Sequence, residues 1–217
     1  MTNFYAVKKG NKIGVFKTWD ECKLHTNGYK GAIFKKFNSQ REAEDFISDN
    51  SKISRVNNSE FEPDYYVYTD GSCSNNGMEG AIAGIGIYFG ENDIRNVSQT
   101  ISGKQTNNTA ELGAILHLYD IIEKDILQGK KIGIVSDSEY AIRCVTTYGK
   151  KCDEKDWTKD IPNKEIVKLT YSMYKDKTNV KFLHVSAHTG NTDLHSIGNS
   201  KADMLANQSI EYSKKTI

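Results

Sequence analysis

Between Asn50 and Pro63 the chain reads NSKISRVNNSEFEP, a stretch that loses apolar periodicity and gathers Ser, Asn and a Pro. It offers no apolar face to bury, so it reads as a linker, and it obliges the chain to fold in two parts. The division is a head over residues 1–50, a linker over 51–63 and a body over 64–213. The body has the length of one full domain, whereas the head has room only for a small core. With 37% hydrophobic and 26% charged residues and only two Pro in 217, disorder over most of the length is excluded. No stretch approaches the roughly 18 consecutive apolar residues of a membrane span, and Met1 to Gly10 lack a signal-peptide core. The expectation is an intracellular protein with no membrane partner.

The formal net charge of +1 argues at first against a phosphate-rich partner. Its distribution reverses that. Residues 1–37 hold eight Lys against Asp20 and Glu21, a net of +6, while residues 64–217 carry a net of −2. A basic head is joined to a mildly acidic body. Cys22, Cys73, Cys144 and Cys152 show neither C-x-x-C spacing nor His pairs at zinc-ligand spacing, so reduced thiols are expected rather than a thiolate metal site.

In the head, FYAV and IGVF are short β-rich runs around the basic turn KKGNK, a hairpin with Gly10 near its tip. A helix is predicted after Thr18, with Trp19, Cys22, Leu24 and His25 as its face; AIFKKF is a third strand, and Ser39 to Ser48 a helix with Ala43, Phe46 and Ile47 inward. The body opens with YYVYTDGSCSNNG, a strand ending in a turn with Asp70 at the strand's end; AIAGIGIYF and NVSQTI continue as an antiparallel meander. Asn108 to Ile126 has helical spacing, KIGIVSD is a strand suited to burial on both faces, and helices follow at Ser138–Val145 and Lys164–Tyr174. The strand VKFLHVSAH and a last helix, Asn199 to about Tyr212, complete a βββαβαβα order.

Four acids stand where such elements can converge: Asp70 at a strand end, Glu111 in a first helical turn, Asp137 at another strand end, Asp203 in the last helix. Gathering carboxylates is unfavourable without cations, so a cluster of them implies a hard-metal site. Two Mg²⁺ ions roughly 3.5–4 Å apart would activate water and steady the leaving oxygen in phosphodiester cleavage. Singly, each acid has another reading: Asp-Gly is common in turns, an acid suits a helix N-terminus, and Asp137-Ser138 can cap a helix. Spacing alone does not decide between these.

The words around the acids do. TDGSCSNNG, QTNNTAEL, VSDSEY and SKADMLA, in that order over about Tyr65 to Asn207, resemble the signature set of type 1 ribonuclease H. The resemblance implies an α/β, ribonuclease H-like mixed five-stranded sheet flanked by helices. It also implies metal-dependent cleavage of the RNA strand of RNA/DNA hybrids, leaving 3′-hydroxyl and 5′-phosphate ends, with Mg²⁺ (or Mn²⁺) held by Asp70, Glu111, Asp137 and Asp203. His188, in VSAHTG, matches the family's proton-transfer histidine. Cys73 (backbone), Asn76, Asn107 and Asn108 stand where the family meets RNA 2′-hydroxyls, groups that both donate and accept. Lys104, Thr106 and Asn163 match its DNA phosphate pocket, and Tyr148 an aromatic that packs on deoxyribose. Lys104 stands where Arg is common, which makes the phosphate grip less bidentate. Two stretches depart from the family: GKKCDEKDWTKDIP is compact where some relatives have a long basic handle, and residues 189–202, with His195, read as a longer, solvated loop.

The head, over roughly residues 4–47, resembles the hybrid-binding domain of eukaryotic type 1 ribonucleases H and related viral proteins, a small three-stranded α+β unit. Tyr5, Trp19, Phe34, Lys35 and Lys36 correspond to residues that hold the DNA strand. Aromatic surface against deoxyribose with Lys neutralising phosphate is physically coherent. Two rivals remain: a resolvase- or integrase-like DNA nuclease, opposed by QTNNTAEL and the head, and a non-catalytic hybrid-binding scaffold, opposed by the intact acids and His188. The expected partner is an RNA/DNA hybrid, the expected state a monomer with weak self-association through the head as the alternative. The expected location is nucleus, cytoplasm or a viral replication site.

Overall fold

The computed structural model describes residues 3–47, 61–187 and 192–216. They fall into two compact units, one within residues 1–60 and one within residues 61–217. Most of the expected linker, residues 51–60, lies outside the described residues.

In the first unit β1 (Phe4–Lys9) pairs antiparallel with both β2 (Gly14–Phe16) and β3 (Ile33–Phe37), giving the order β2-β1-β3. Helix α1 (Trp19–Thr26) begins where Thr18 and Glu21 close a reciprocal capping box, the T-x-x-E pattern satisfying two orphan N–H groups. It buries Cys22 and Thr26; Leu24, expected on its inner face, is 74% exposed. Helix α2 (Gln40–Ile47) buries Ala43 and packs Phe46 against Phe37.

The second unit is a mixed five-stranded sheet in the order β6-β5-β4-β7-β8, formed by β4 (Tyr65–Ser74), β5 (Ile82–Tyr88), β6 (Val97–Thr100), β7 (Ile132–Ser136) and β8 (Val180–His184). β4, β5 and β6 run antiparallel as a meander, while β4, β7 and β8 are parallel neighbours. Helix α3 (Asn107–Leu127) covers one face with Leu112, Ile115, Leu118 and Ile122, all fully buried. Helix α7 (Leu194–Thr216) covers the other, its Ala202 and Ala206 lying against β5 where Gly84 and Gly86 leave no Cβ in the way. Alternation along β4 sends Val67 to the α3 side and Tyr68 to the α7 side, so the buried side chains form two clusters on opposite faces of the sheet.

Three departures from the expected elements have local causes. The TDGS segment is no turn: β4 continues through Asp70 and Gly71 to Ser74. Gly71 is needed for proximity instead, since a Cβ there would stand 2.1 Å from Glu111 N and 2.4 Å from the Ala110 carbonyl carbon. Between α4 (Glu139–Val145) and α6 (Lys164–Tyr174) lies an unforeseen helix, α5 (Thr147–Asp153). Its polar, Gly-containing sequence lacks an apolar period, and Gly149 seats it against Cys144 and the ring of Tyr171. Finally, α7 starts at Leu194 rather than Asn199, because Asp193 accepts from the N–H groups of His195 and Ser196 and caps it. Much of the expected 189–202 loop is therefore helix. The close approach at Gly71 gives a test: Gly71→Ala forces α3 away from β4 and should lower stability by about 3 kcal/mol in urea unfolding.

Candidate active site

The parallel pairing of β4 with β7 sets Tyr68 opposite Val135. Two residues on, the same register carries Asp70 and Asp137 side by side, Asp70 within β4 and Asp137 just past the end of β7. Glu111 arrives from α3. It sits in the second turn of that helix, not the first, since Thr106 is the N-cap and Asn107 the first helical residue. The close backbone contact at Gly71 brings it within range. One carboxylate oxygen each from Asp70, Glu111 and Asp137 lies within 4.8 Å of the others. Asp203, on α7, stands outside that set of three, yet its charge acts on both Asp70 and Glu111.

Burial and mutual repulsion dominate the electrostatics. Asp70, only 6% exposed, has its pKa pushed up to about 7, first by desolvation and then by the charges of Asp137 and Asp203. Glu111 is raised well above the usual carboxylate range by burial and by Asp70 and Asp137. Its Oε2 is buried without a hydrogen-bond partner among the described residues. An all-oxygen donor set, crowded with negative charge and holding an unsatisfied buried carboxylate oxygen, fits a hard divalent cation and not a thiolate or imidazole metal.

Around the acids stand residues the sequence did not single out. Asn199 Nδ2 donates to Asp137 Oδ2 at 2.8 Å, Asn207 Nδ2 to Asp203 Oδ1 at 2.8 Å, and Ser72 Oγ to Asn207 Oδ1 at 2.6 Å. His184 Nε2 lies 3.1 Å from the Asp137 carbonyl oxygen. An amide one turn before or after a site carboxylate was the available signal, N-x-x-x-D-x-x-x-N. His195, expected as a solvated loop residue, is half-buried in the first turn of α7, sharing a 3.3 Å hydrogen bond with Tyr68 and meeting the Tyr66 ring edge-on. His188 lies outside the described residues.

The expected substrate-binding residues gather in two places. Asn76 Oδ1 accepts from the Asn107 N–H at 3.2 Å, setting Asn76 at the exposed N-terminal turn of α3 that also carries Asn107 and Asn108, and Cys73 precedes them near the end of β4. Lys104 Nζ donates to Asn163 Oδ1 at 3.1 Å, and Thr106, the N-cap of α3, lies two residues after Lys104. Asn163 holds a left-handed conformation, φ 58°, and its Nδ2 donates to Tyr140. Tyr148, on α5, is partly exposed. In the first unit Trp19 bridges Tyr5 and Phe34, with ring centroids 5.8 and 5.7 Å away. Strand alternation groups Phe34 and Lys36 with Tyr5, whereas Lys35 falls on the opposite face, its ammonium 5.5 Å from the Phe37 ring centroid.

Residues 62–211 match the RNase H family, and residues 3–47 match the ribonuclease H1 N-terminal domain. A ribonuclease H of Schizosaccharomyces pombe is 30% identical, the match covering 94% of this chain and 95% of that protein. Ribonuclease H1 of Mus musculus is 28% identical over 97% of this chain and 90% of its own length, and a probable ribonuclease H of Acanthamoeba polyphaga mimivirus 36% identical over 63% and 62%. Among solved structures, the RNase H domain of PFV superposes with a TM-score of 0.52 at 21% identity, covering 67% of this chain and 93% of that one. A foamy viral protease-reverse transcriptase in complex with RNA/DNA hybrid superposes at 0.56 and 20% identity, covering 72% and 22%. The second pair shares fold alone.

The raised pKa of Asp70 has a signed consequence. Protonation is favoured in the folded state, so this group's stabilising contribution is complete below pH 4 and fades as pH rises through 7. Asp70→Asn, which mimics the neutral acid, should stabilise the metal-free protein by about 2 kcal/mol at pH 8 and by almost nothing at pH 4. Thermal unfolding in EDTA across that range measures it, and a gap independent of pH would contradict it.

Proposed function

The chain belongs to the ribonuclease H family, and from that we propose that it is a divalent-metal-dependent endoribonuclease that hydrolyses the RNA strand of RNA/DNA hybrids, leaving 3′-hydroxyl and 5′-phosphate ends. The observation that carries this reading is the convergence of Asp70, Glu111 and Asp137, with Asp203 alongside, on one end of the β4–β7 pair. The hard-oxygen donor set favours Mg²⁺, with Mn²⁺ the alternative. When bound, two such ions would supply an activated water and neutralise charge on the departing oxygen.

The chain's own groups do the rest. Asp70, Glu111, Asp137 and Asp203 hold the ions. His188, by its place in the VSAHTG motif, moves a proton at the leaving oxygen. Asn107 and Asn108, with Asn76 braced by the Asn107 N–H, present amides to RNA 2′-hydroxyls, which DNA lacks. The Cys73 backbone adds a further contact to the RNA strand. Lys104 and Asn163, already in contact, with Thr106 beside them, receive a phosphate of the DNA strand, and Tyr148 packs on a deoxyribose. The head, residues 1–50, holds the hybrid through Tyr5, Trp19, Phe34, Lys35 and Lys36, and a linker over 51–63 keeps it near the body at 64–213, raising the local substrate concentration. The protein works inside the cell as a monomer.

Labelled RNA/DNA hybrid, double-stranded RNA and double-stranded DNA, each incubated with Mg²⁺, test the reaction. Cleavage should be confined to the hybrid, stop in EDTA, and fall at least about a thousandfold in Asp70→Asn, equal to about 4 kcal/mol of transition-state stabilisation. Intact hybrid that still binds would leave only a scaffold. Because Lys36 shares the aromatic face and Lys35 does not, Lys36→Glu should weaken hybrid binding several-fold more than Lys35→Glu in a gel-shift titration, with kcat unchanged in both.

A further inference from the structure

Helix α7 carries Asn199, Asp203 and Asn207 at successive four-residue steps, one stripe on the helix surface. Each amide of the stripe is bound to a carboxylate of the acidic centre: Asn199 Nδ2 to Asp137 Oδ2, and Asn207 Nδ2 to Asp203 Oδ1. An ionised carboxylate only accepts, so the nitrogen of each amide must face it and each amide oxygen must look elsewhere. For Asn207 that oxygen accepts from Ser72 Oγ, two residues beyond Asp70 on β4. For Asn199, itself 5% exposed, the oxygen is buried with no hydrogen-bond partner among the described residues.

That bare oxygen argues against a merely structural Asn199. A buried acceptor without a partner is costly, and an apolar side chain of similar volume would avoid the cost. The site it serves explains why it is tolerated. Asp137 lies one residue past the end of β7, where no strand ladder fixes its side chain; its main-chain oxygen faces His184 and its carboxylate faces Asn199. Asp203 is likewise held from one side by Asn207, which Ser72 ties back to the strand bearing Asp70.

We propose that Asn199 and Asn207 are positioning residues of the acidic centre, through which α7 sets the carboxylates of Asp137 and Asp203 in the orientation that holds divalent cations. The inference rests on the metal-dependent reading above. Partners that orient metal-ligating side chains affect affinity or activity by about 10–100-fold when removed. The buried Asn199 should lie within that range, and the exposed Asn207, where water competes, below it.

The test uses the full chain and two readouts: binding of Mn²⁺ and of Mg²⁺ alone, by calorimetry or metal-induced shift in Tm, and hybrid cleavage resolved into kcat and KM. Asn199→Ala is expected to weaken both metals about tenfold or more, and to lower kcat at fixed Mg²⁺ with KM for hybrid unchanged, the loss partly recovered at high Mg²⁺. Asn199→Leu, which removes the bare oxygen and keeps the branched outline of the side chain, should weaken metal binding equally while melting no lower than wild type in EDTA. At the exposed position, Asn207→Leu should weaken metal binding a few-fold and Asn207→Gln, which keeps a donor, should restore it. Unchanged metal affinity in the Asn199 variants, with only Tm altered, overturns the proposal, as does Asn207→Gln behaving like Asn207→Leu. If wild type cleaves no hybrid while the variants still lose Mn²⁺ affinity, the nuclease reading fails and the positioning role stands.

Discussion

With no side chain at Gly71, the backbone of α3 at Ala110 and Glu111 lies directly against β4. Everything at the acidic centre depends on that contact. Register places Asp70 beside Asp137 without help, but the third carboxylate belongs to a helix on the other face of the sheet from α7 and reaches the pair only if helix and strand touch. The same logic operates on the opposite face, where Gly84 and Gly86 let the small residues of α7 settle on β5 and carry Asp203 toward the site. Two helices are thus pressed onto one sheet from both sides, and the acids meet over its central strands, where β4 passes the end of β7.

The result is a folded state that carries unfavourable charge. Asp70 and Glu111 are buried among like charges, and in the absence of cations the folded protein favours their protonated forms. Stability is given up locally at a site whose crowded negative charge a divalent cation would offset. Compensation comes from the core beneath, where Leu112, Ile115, Leu118 and Ile122 of α3 are sealed from water.

The acids themselves were legible in the sequence, because each sits inside a run of residues that is informative as a word: TDGS, TAEL, VSDS, KADM. Helices α1 and α3 and the three strands of the meander were legible too, through the Thr18 cap, the helical spacing from Asn108 to Ile126 and the short apolar runs of the strands. What was not legible depends on contacts between distant segments. Gly71 looks like a turn former until α3 is seen against it. Helix α5 has no apolar stripe, and its place is fixed by Gly149 under Tyr171. Asn199 and Asn207 belong to a residue type usually read as punctuation, and their four-residue spacing from Asp203 gains meaning once α7 sets both amides against carboxylates. Asp193 was a local capping signal, obscured by the reading of residues 189–202 as one longer loop.

The small-residue seat of α7 on β5 also governs how this region can change over time. Side chains can be exchanged along the helix, but its length ahead of Asp203 cannot drift by single residues. One residue added or lost within the helix rotates everything beyond it by about 100° and shifts it by about 1.5 Å, turning Ala202, Ala206 and the amide stripe away together. A residue added before Asp193 would leave that phase intact, because the cap resets the count. The stretch that carries His188 is thus free to differ in length in a way that the helix after it is not.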